Sequence, residues 1–367
     1  MRFFHILADR FEELAELPAN LPATGFLWIG SGRREFEVRR EEMQGFLQRG
    51  AGGAIVDLHV SDLLNNQLPS HFEDTSWYDM LVFRRLATTQ AGKALFVDEN
   101  HGTLASARRA LESIDTSPVG FAVFDRVLIT VHPADCQVRE FFAQRLTQHS
   151  HESDLRGTAR LPANPADLML RMVNHMVDSY LDLRRLLTRQ LSTLQAELLN
   201  PKSRFDDWQV LLASRDALHM LEDTCEDQRS AIQEWIDALD EWPPESDPMA
   251  QRERELLRVR SRDVLEHIER VLAHVRRLQQ SAEAAVQMHF SALGHRTNDI
   301  MRTLTVLTAI FMPLNLVTGI FGMNFDFIPL IHASTGFWVT MGIMAAIAVG
   351  LGSYFWRKRY LGTHVRP

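Results

Sequence analysis

Hydrophobic and polar positions change rhythm three times along this chain of 367 residues. Up to about residue 160 the apolar runs are short and mixed. Phe3 to Leu7, Gly25 to Ile29, Ala54 to Leu58, Met80 to Leu86, Ala94 to Asp98 and Val119 to Val131 read as strands, the last a hairpin turning at Asp125-Arg126. Arg39 to Gln48 and Cys136 to Gln148 read as helices, so this part is expected to be an α/β domain. After a polar stretch at 150–162 come two long helical patterns, Asn164 to Leu199 and Asp206 to Glu241, separated by Asn200-Pro201-Lys202-Ser203. A third begins near Ala250. Val264, Ile268, Val271, Val275, Leu278, Ala282, Ala285, His289 and Leu293 alternate steps of three and four, a heptad seam. No proline interrupts it before Pro313, so one helix is expected to run from about Ala250 to Phe321. Such a rod cannot bury its seam alone and calls for partners. The chain then closes with two wholly apolar runs. No charge lies between Arg302 and Asp326, and none between Phe337 and Trp356.

Each of those runs is long enough to cross a hydrocarbon core as a helix, which takes about 20 residues. The expected organisation is therefore an N-terminal α/β domain at 1–160, long helices and a stalk at 161–300, and a two-helix membrane hairpin at 301–367. A slightly negative mean hydropathy fits a large water-soluble part carrying two spans. Arg296 and Arg302 precede the first span and Arg357, Lys358, Arg359 and Arg366 follow the second, while the connecting loop has Asp326 and His332 but no Lys or Arg. The positive-inside rule then places both termini in the cytoplasm, as expected of a multi-pass protein of the cell (inner) membrane. No signal peptide is expected, since Asp9 interrupts the N-terminus early. The two cysteines, Cys136 and Cys225, lack metal-ligand spacing. A net charge of −8 disfavours nucleic acid and suits cations.

Candidate chemistry is sparse in the first 160 residues. There is no phosphate-binding glycine loop, no GxSxG and no HExxH, and the histidines are scattered, so an enzyme is not expected. The final turns of the second long helix are acidic: Glu222, Asp223, Glu226, Asp227, Glu234, Asp237, Asp240 and Glu241, with Arg229 their only base in sequence. A solvated face accounts for them. In the first span, Met301, Leu304, Thr308, Met312 and Asn315 fall on one helical face. Helix packing is the ordinary reason for such a stripe. Asn315 argues against lipid exposure, because an unpartnered amide in hydrocarbon costs several kcal/mol.

At the end of that span stand Gly322-Met323-Asn324, followed by Phe325-Asp326-Phe327-Ile328-Pro329 and preceded by Phe311-Met312-Pro313-Leu314. This resembles the CorA family of divalent-cation channels, whose signature is GMN at the outer end of the first of two C-terminal spans. The resemblance implies an α+β membrane protein assembled as a funnel-shaped homo-pentamer in the lipid bilayer. It implies Gly322, Met323 and Asn324 as selectivity filter, the stripe from Met301 to Asn315 as pore lining, and Mg²⁺ as cargo, with Co²⁺ and Ni²⁺ as further cargo. It also implies closure by cytoplasmic Mg²⁺. Ser261-Arg262-Asp263-Val264-Leu265-Glu266-His267 is similar to the family's regulatory segment, whose Asp pairs across subunits with one in the N-terminal domain. Asp62, in Val60-Ser61-Asp62-Leu63-Leu64, is the best match for that partner. Two departures stand out. Asn315 occupies a position where relatives carry a small residue such as Thr, and Leu330 replaces the second acid of the outer loop, leaving Asp326 alone. With His332 nearby, a ZntB-like Zn²⁺ transporter of the same fold is the alternative. A membrane-anchored coiled-coil scaffold is the reading from another class, but it leaves Pro313, Asn315 and GMN unexplained.

Overall fold

The structure is a computed structural model that describes residues 1–88, 114–134, 136–151, 161–199, 208–242, 247–323 and 335–358. The chain forms two compact units, Met1–Glu283 and Ala284–Pro367, so the expected boundary near residue 160 falls inside the first.

The first unit is built on a seven-stranded sheet. Its strands are β1 (Arg2–Ile6), β2 (Phe11–Leu14), β3 (Phe26–Gly32), β4 (His71–Asp74), β5 (Asp79–Arg84), β8 (Pro118–Val123) and β9 (Val127–His132), in the order β2-β1-β3-β9-β8-β5-β4. Only β3 and β9 pair in parallel; the other neighbours are antiparallel. Strands β6 (Ala87–Thr88) and β7 (Ile114–Asp115) form a separate ribbon. β8 and β9 are buried along their whole length, as continuous apolar runs demand. Their hairpin turns where the sequence places it, with Phe124 N–H donating to Val127 O at 2.8 Å.

Helices α1 (Arg33–Val38), α2 (Arg40–Gly50) and α3 (Asp57–Leu64) enclose a core with Leu27, Ile29, Met80, Ile129 and Val131. The expected strand at Ala54 to Leu58 is not one. Its first residues are extended, but the Gln44 amide satisfies Ile55 on both sides, donating to its carbonyl at 2.6 Å and accepting from its N–H at 2.8 Å. With no strand needed to pair this backbone, Val56 serves as N-cap and α3 starts at Asp57. Strands β2 and β4, of four residues each, and helices α1 and α3, of about two turns each, are too short for their period to show in the sequence. The strand expected at Ala94 to Asp98 lies outside the described residues.

The remaining helices are α4 (Val138–His151), α5 (Pro165–Asp178), α6 (Tyr180–Leu199), α7 (Trp208–Glu241), α8 (Pro248–Phe321) and α9 (Gly336–Arg357). α5 packs on β3, β8 and β9, and α7 packs on β4 and β5. Asn164 caps α5 by accepting from Asp167 N–H at 2.8 Å, with Pro165 at the first helical position. The pattern read as one helix from Asn164 to Leu199 breaks at Ser179. Its hydroxyl lies 2.5 Å from Met176 O and 3.2 Å from Leu86 O, so a side chain competes with the helical ladder there. The Met169, Met172, Val173, Met176, Tyr180 and Leu183 stripe is buried, as core packing requires.

Gly25 precedes β3 at φ +72°, and a Cβ there would sit 2.2 Å from the carbonyl oxygen of Ile6. Gly25→Ala is therefore expected to destabilise the first unit by at least about 2 kcal/mol, since left-handed backbone and a backbone clash combine. Thermal unfolding of the purified protein checks this, and an unchanged Tm would contradict it.

Candidate functional site

The chain supplies the raw material for a transmembrane path at one place, the C-terminal part of α8. Among the described residues, two helices are long and apolar enough to cross a membrane, Pro248–Phe321 and Gly336–Arg357. α8 continues through Pro313 without a break in assignment, although that residue donates no backbone hydrogen bond.

At 100° per residue, Met301, Leu304, Thr308, Met312 and Asn315 lie within an arc of about 80°. All five are exposed, Met312 at 71%. The less exposed positions Val306, Ala309, Ile310, Pro313, Val317 and Phe321 centre on the opposite side of the helix. The stripe read from spacing is exposed, as are Leu307, Phe311 and Leu316 outside it, and Val306 is the one buried residue of 301–323. The Thr308 hydroxyl donates to Leu304 O at 2.9 Å, which turns its oxygen lone pairs outward as acceptors. This face offers thioethers, a leucine, hydroxyl and amide oxygens, and no fixed charge.

The helix ends in the motif. Gly322 N–H donates to Thr318 O at 2.9 Å and Met323 N–H to Ile320 O at 3.2 Å. A Cβ at Gly322 would lie 3.1 Å from Thr318 O, so close backbone approach is what favours glycine. Asn324 and Asp326 lie outside the described residues, as does His332.

The two candidate regulatory carboxylates occupy separate elements of the first unit. Asp62 is half-buried on α3, and Asp263 is exposed on α8. Asp263 lies 3.8 Å from His267 Nε2, one turn along its own helix. The other nitrogen of that ring is 3.2 Å from Asn174 Oδ1 and 3.7 Å from Asp178 Oδ1. No recorded contact joins Asp62 to Asp263 within the chain. Among the described residues, no three His, Cys, Asp or Glu side chains converge as a metal-binding group.

Sequence reading missed where the acidic residues of α7 find their counter-charges. Arg276 of α8 donates to Glu222 at 2.8 Å and also pairs with Glu226, while Arg258 pairs with Asp240 at 2.7 Å. Arg229 pairs with Glu226 at 2.8 Å. Arg258 and Arg276 come from 18 to 54 residues away, so no local spacing announced them, whereas Arg229 is three residues from Glu226. Asp227 stays short of a partner's full effect: burial, then Asp223 nearby, push its carboxyl above the usual range despite Arg84. Two buried histidines have polar partners in the first unit. His274 accepts or donates at 2.7 Å to Tyr180 OH, and burial lowers its pKa to about 4. His132 is buried against Thr130 at 2.8 Å and is held neutral, with a pKa near 3.

The chain thus has an α/β domain, a helix of 74 residues whose C-terminal part is long and apolar enough to cross a membrane, and one further such helix after it. The family model described as CorA-like Mg²⁺ transporter protein matches residues 60–359, and the chain belongs to that family. It is 25% identical over 194 residues to the cobalt/magnesium transport protein CorA of Thermotoga maritima, covering 53% of this chain and 52% of that one. The match thus spans about half the length of that relative. It is 27% identical over 250 residues to the magnesium transport protein CorA of Haemophilus influenzae, covering 67% and 73%. The fold is that of the CorA magnesium transporter from Methanocaldococcus jannaschii, with a TM-score of 0.70 at 17% identity over 97% of this chain and 98% of that one. The full-length CmaX protein is also similar, at a TM-score of 0.60 and 16% identity, over 98% and 97%.

Proposed function

We propose that this chain is the subunit of a homo-pentameric channel that carries Mg²⁺ into the cell, with Co²⁺ and Ni²⁺ as competing cargo. The observation that supports this reading is the exposed, charge-free stripe of Met301, Leu304, Thr308, Met312 and Asn315 on one face of α8, in the apolar stretch that leads to Gly322-Met323-Asn324. Around a fivefold axis that stripe lines a pore free of fixed charge.

The chemistry suits a hydrated ion. Mg²⁺ is small and gives up water reluctantly. A ring of Asn324 amides and backbone carbonyls accepts hydrogen bonds from the ion's waters without stripping them. A carboxylate ring would hold the ion too tightly to release it. Met323 braces the loop, and Asp326 draws cations to the outer mouth. Below, the outward lone pairs of Thr308 and the amide of Asn315 continue the contact with water. Met301 and Leu304, at the cytoplasmic end, close the path by dewetting. The membrane potential supplies the force, at roughly 4.6 kcal/mol per 100 mV for a divalent ion.

Asp62 of one subunit and Asp263 of its neighbour form the regulatory site. Two carboxylates brought together repel, and a hard dication between them turns repulsion into attraction. High internal Mg²⁺ then holds the assembly closed, and low Mg²⁺ releases it.

Cysteine accessibility tests the pore face. In proteoliposomes, Thr308→Cys should let a water-soluble methanethiosulfonate block at least about nine-tenths of Mg²⁺ uptake, as a charged adduct in a narrow pore must. Leu307→Cys, whose position is turned about 100° from the stripe's centre, should be insensitive. The native Cys136 and Cys225 are buried and give little background. Equal block at both positions would remove the pore from this face.

A further inference from the structure

Three helices of the first unit line a cavity of about 330 Å³. α4 presents Phe142, Arg145 and Leu146 to it, α5 presents Arg171 and His175, and α8 presents Arg260 and Val264. Positions three or four apart share a helical face, so each helix reaches the cavity through its spacing. Asp167, buried on α5, accepts from Arg171 at 3.0 Å, pairs with Arg260, and takes the Ala163 N–H at 3.2 Å. One carboxylate thus serves two guanidiniums. Arg260 is partly desolvated, which lowers its pKa while leaving it charged. Arg145 is exposed and has no acid against it among the described residues; its guanidinium lies 6.0 Å from the centre of the Phe141 ring. The acids that also line the cavity, Asp178 and Asp263, lie 3.7 and 3.8 Å from the two ring nitrogens of His267. Phe142, Leu146 and Val264 are buried and supply an apolar wall.

We propose that this cavity binds a small organic dianion, its charged head between Arg145 and Arg260 and its apolar body against Phe142, Leu146 and Val264. Guanidinium forks grip carboxylate and phosphate oxygens in pairs, which a single acid shared by two arginines leaves room for. The volume lies at the lower end of small-molecule sites, about 300–1,000 Å³, so the ligand is compact. An inorganic cation is a poor occupant, because the arginines repel it. A phosphate monoester and a dicarboxylate offer the same double charge on an organic body, and the head group is what the experiment separates. The site stands whether or not the chain conducts Mg²⁺.

Occupancy has a physical consequence. A ligand that touches α4, α5 and α8 together binds the folded first unit and not the unfolded chain, so it stabilises the fold by mass action. Its charge attraction is open to solvent at Arg145 and weakens as salt is added. Arg145 is also the residue to change first. Arg171 and Arg260 hold the buried Asp167, and removing either would strand that carboxylate.

Titration calorimetry and thermal unfolding of the full-length protein in detergent test the site, with phenyl phosphate, phthalate and inorganic phosphate as probes. At least one of the two aromatic dianions should bind, raise Tm by about 2 °C or more at saturation, and bind more tightly than inorganic phosphate. Whichever of the two binds more tightly identifies the head group. Arg145→Ala should weaken that binding about tenfold or more, the loss of a hydrogen bond to a charged group, with Tm of the free protein unchanged. Arg252→Ala, an exposed arginine of α8 about two turns before Arg260 and outside the cavity lining, should bind as the unsubstituted protein does. No binding of either aromatic dianion, or equal binding by Arg145→Ala, would overturn the site. Inorganic phosphate binding as tightly as both would also overturn it, since charge alone would then account for the attraction.

Discussion

Replacing Asn324 by alanine is expected to reduce Mg²⁺ uptake by at least about a hundredfold while leaving assembly intact. The reasoning is additive. Each amide facing the hydrated ion contributes on the order of 0.5–1.5 kcal/mol, and a fivefold ring loses all of them together. Several kcal/mol off the ion's stabilisation corresponds to two or more powers of ten in rate, at about 1.4 kcal/mol per tenfold. Assembly should survive because position 324 is not part of the first unit, Met1–Glu283, whose core is left untouched. A Mg²⁺-sensitive dye inside proteoliposomes reads the flux, and native mass of the purified protein reads the assembly, expected at five times 42.0 kDa. Flux at the wild-type rate would show that GMN is not the filter. A monomer or dimer in the unsubstituted protein would leave the exposed stripe without a pore to line.

The second large effect concerns regulation. Asp62→Lys together with Asp263→Lys supplies fixed cations where a dication is proposed to act. The protein should then lose most of its response to internal Mg²⁺, in both flux and protease protection, with the half-maximal concentration displaced at least about tenfold. One site contributes a coupling of about 1–3 kcal/mol, and several act together in a ring. Retention of the full wild-type dependence would move the sensor elsewhere. The acidic residues of α7 are the next place to look, and their geometry narrows the choice. Glu222, Glu226 and Asp240 already have arginine partners. Asp223 and Asp227 sit together, with Asp227 pushed toward its protonated form by burial and by its neighbour. A cation there would relieve repulsion rather than displace an arginine.

What the sequence revealed, and what it hid, divides by the range of the interactions concerned. The long helices were legible because their signals repeat: α8 begins at Pro248, close to the expected Ala250, and ends at Phe321 as expected. The heptad seam is covered at Val264, Ile268, Val271 and Val275, and again at Ala285 and His289, while Leu293 is exposed. That Met301, Leu304, Thr308, Met312 and Asn315 share one face was legible for the same reason, since a helix turns spacing into a face. α3 was misread because Ile55 and Val56 have strand-like side chains and their backbone is satisfied by Gln44 and by Tyr78 OH at 3.0 Å. Nothing local reports such a partner. The break at Ser179 and the arginine partners of α7 were hidden likewise, because each depends on groups distant in sequence. Glycine at 322 belongs to the local class: the carbonyl of Thr318, four residues back at the helix end, would lie 3.1 Å from a Cβ there.

The central claim is that an electrically driven path for hydrated Mg²⁺ runs along α8. Mg²⁺ uptake into proteoliposomes under an imposed, inside-negative potassium diffusion potential tests it most directly, repeated with Co²⁺, Ni²⁺ and Zn²⁺ and with a pH gradient alone. The expected result is Mg²⁺ accumulation that rises with the potential, toward about a thousandfold at 100 mV, the value set by two charges crossing the full field. Co²⁺ and Ni²⁺ should compete with Mg²⁺, and the pH gradient alone should drive nothing. Uptake indifferent to the potential, or Zn²⁺ uptake driven by the pH gradient without Mg²⁺ flux, would contradict the account.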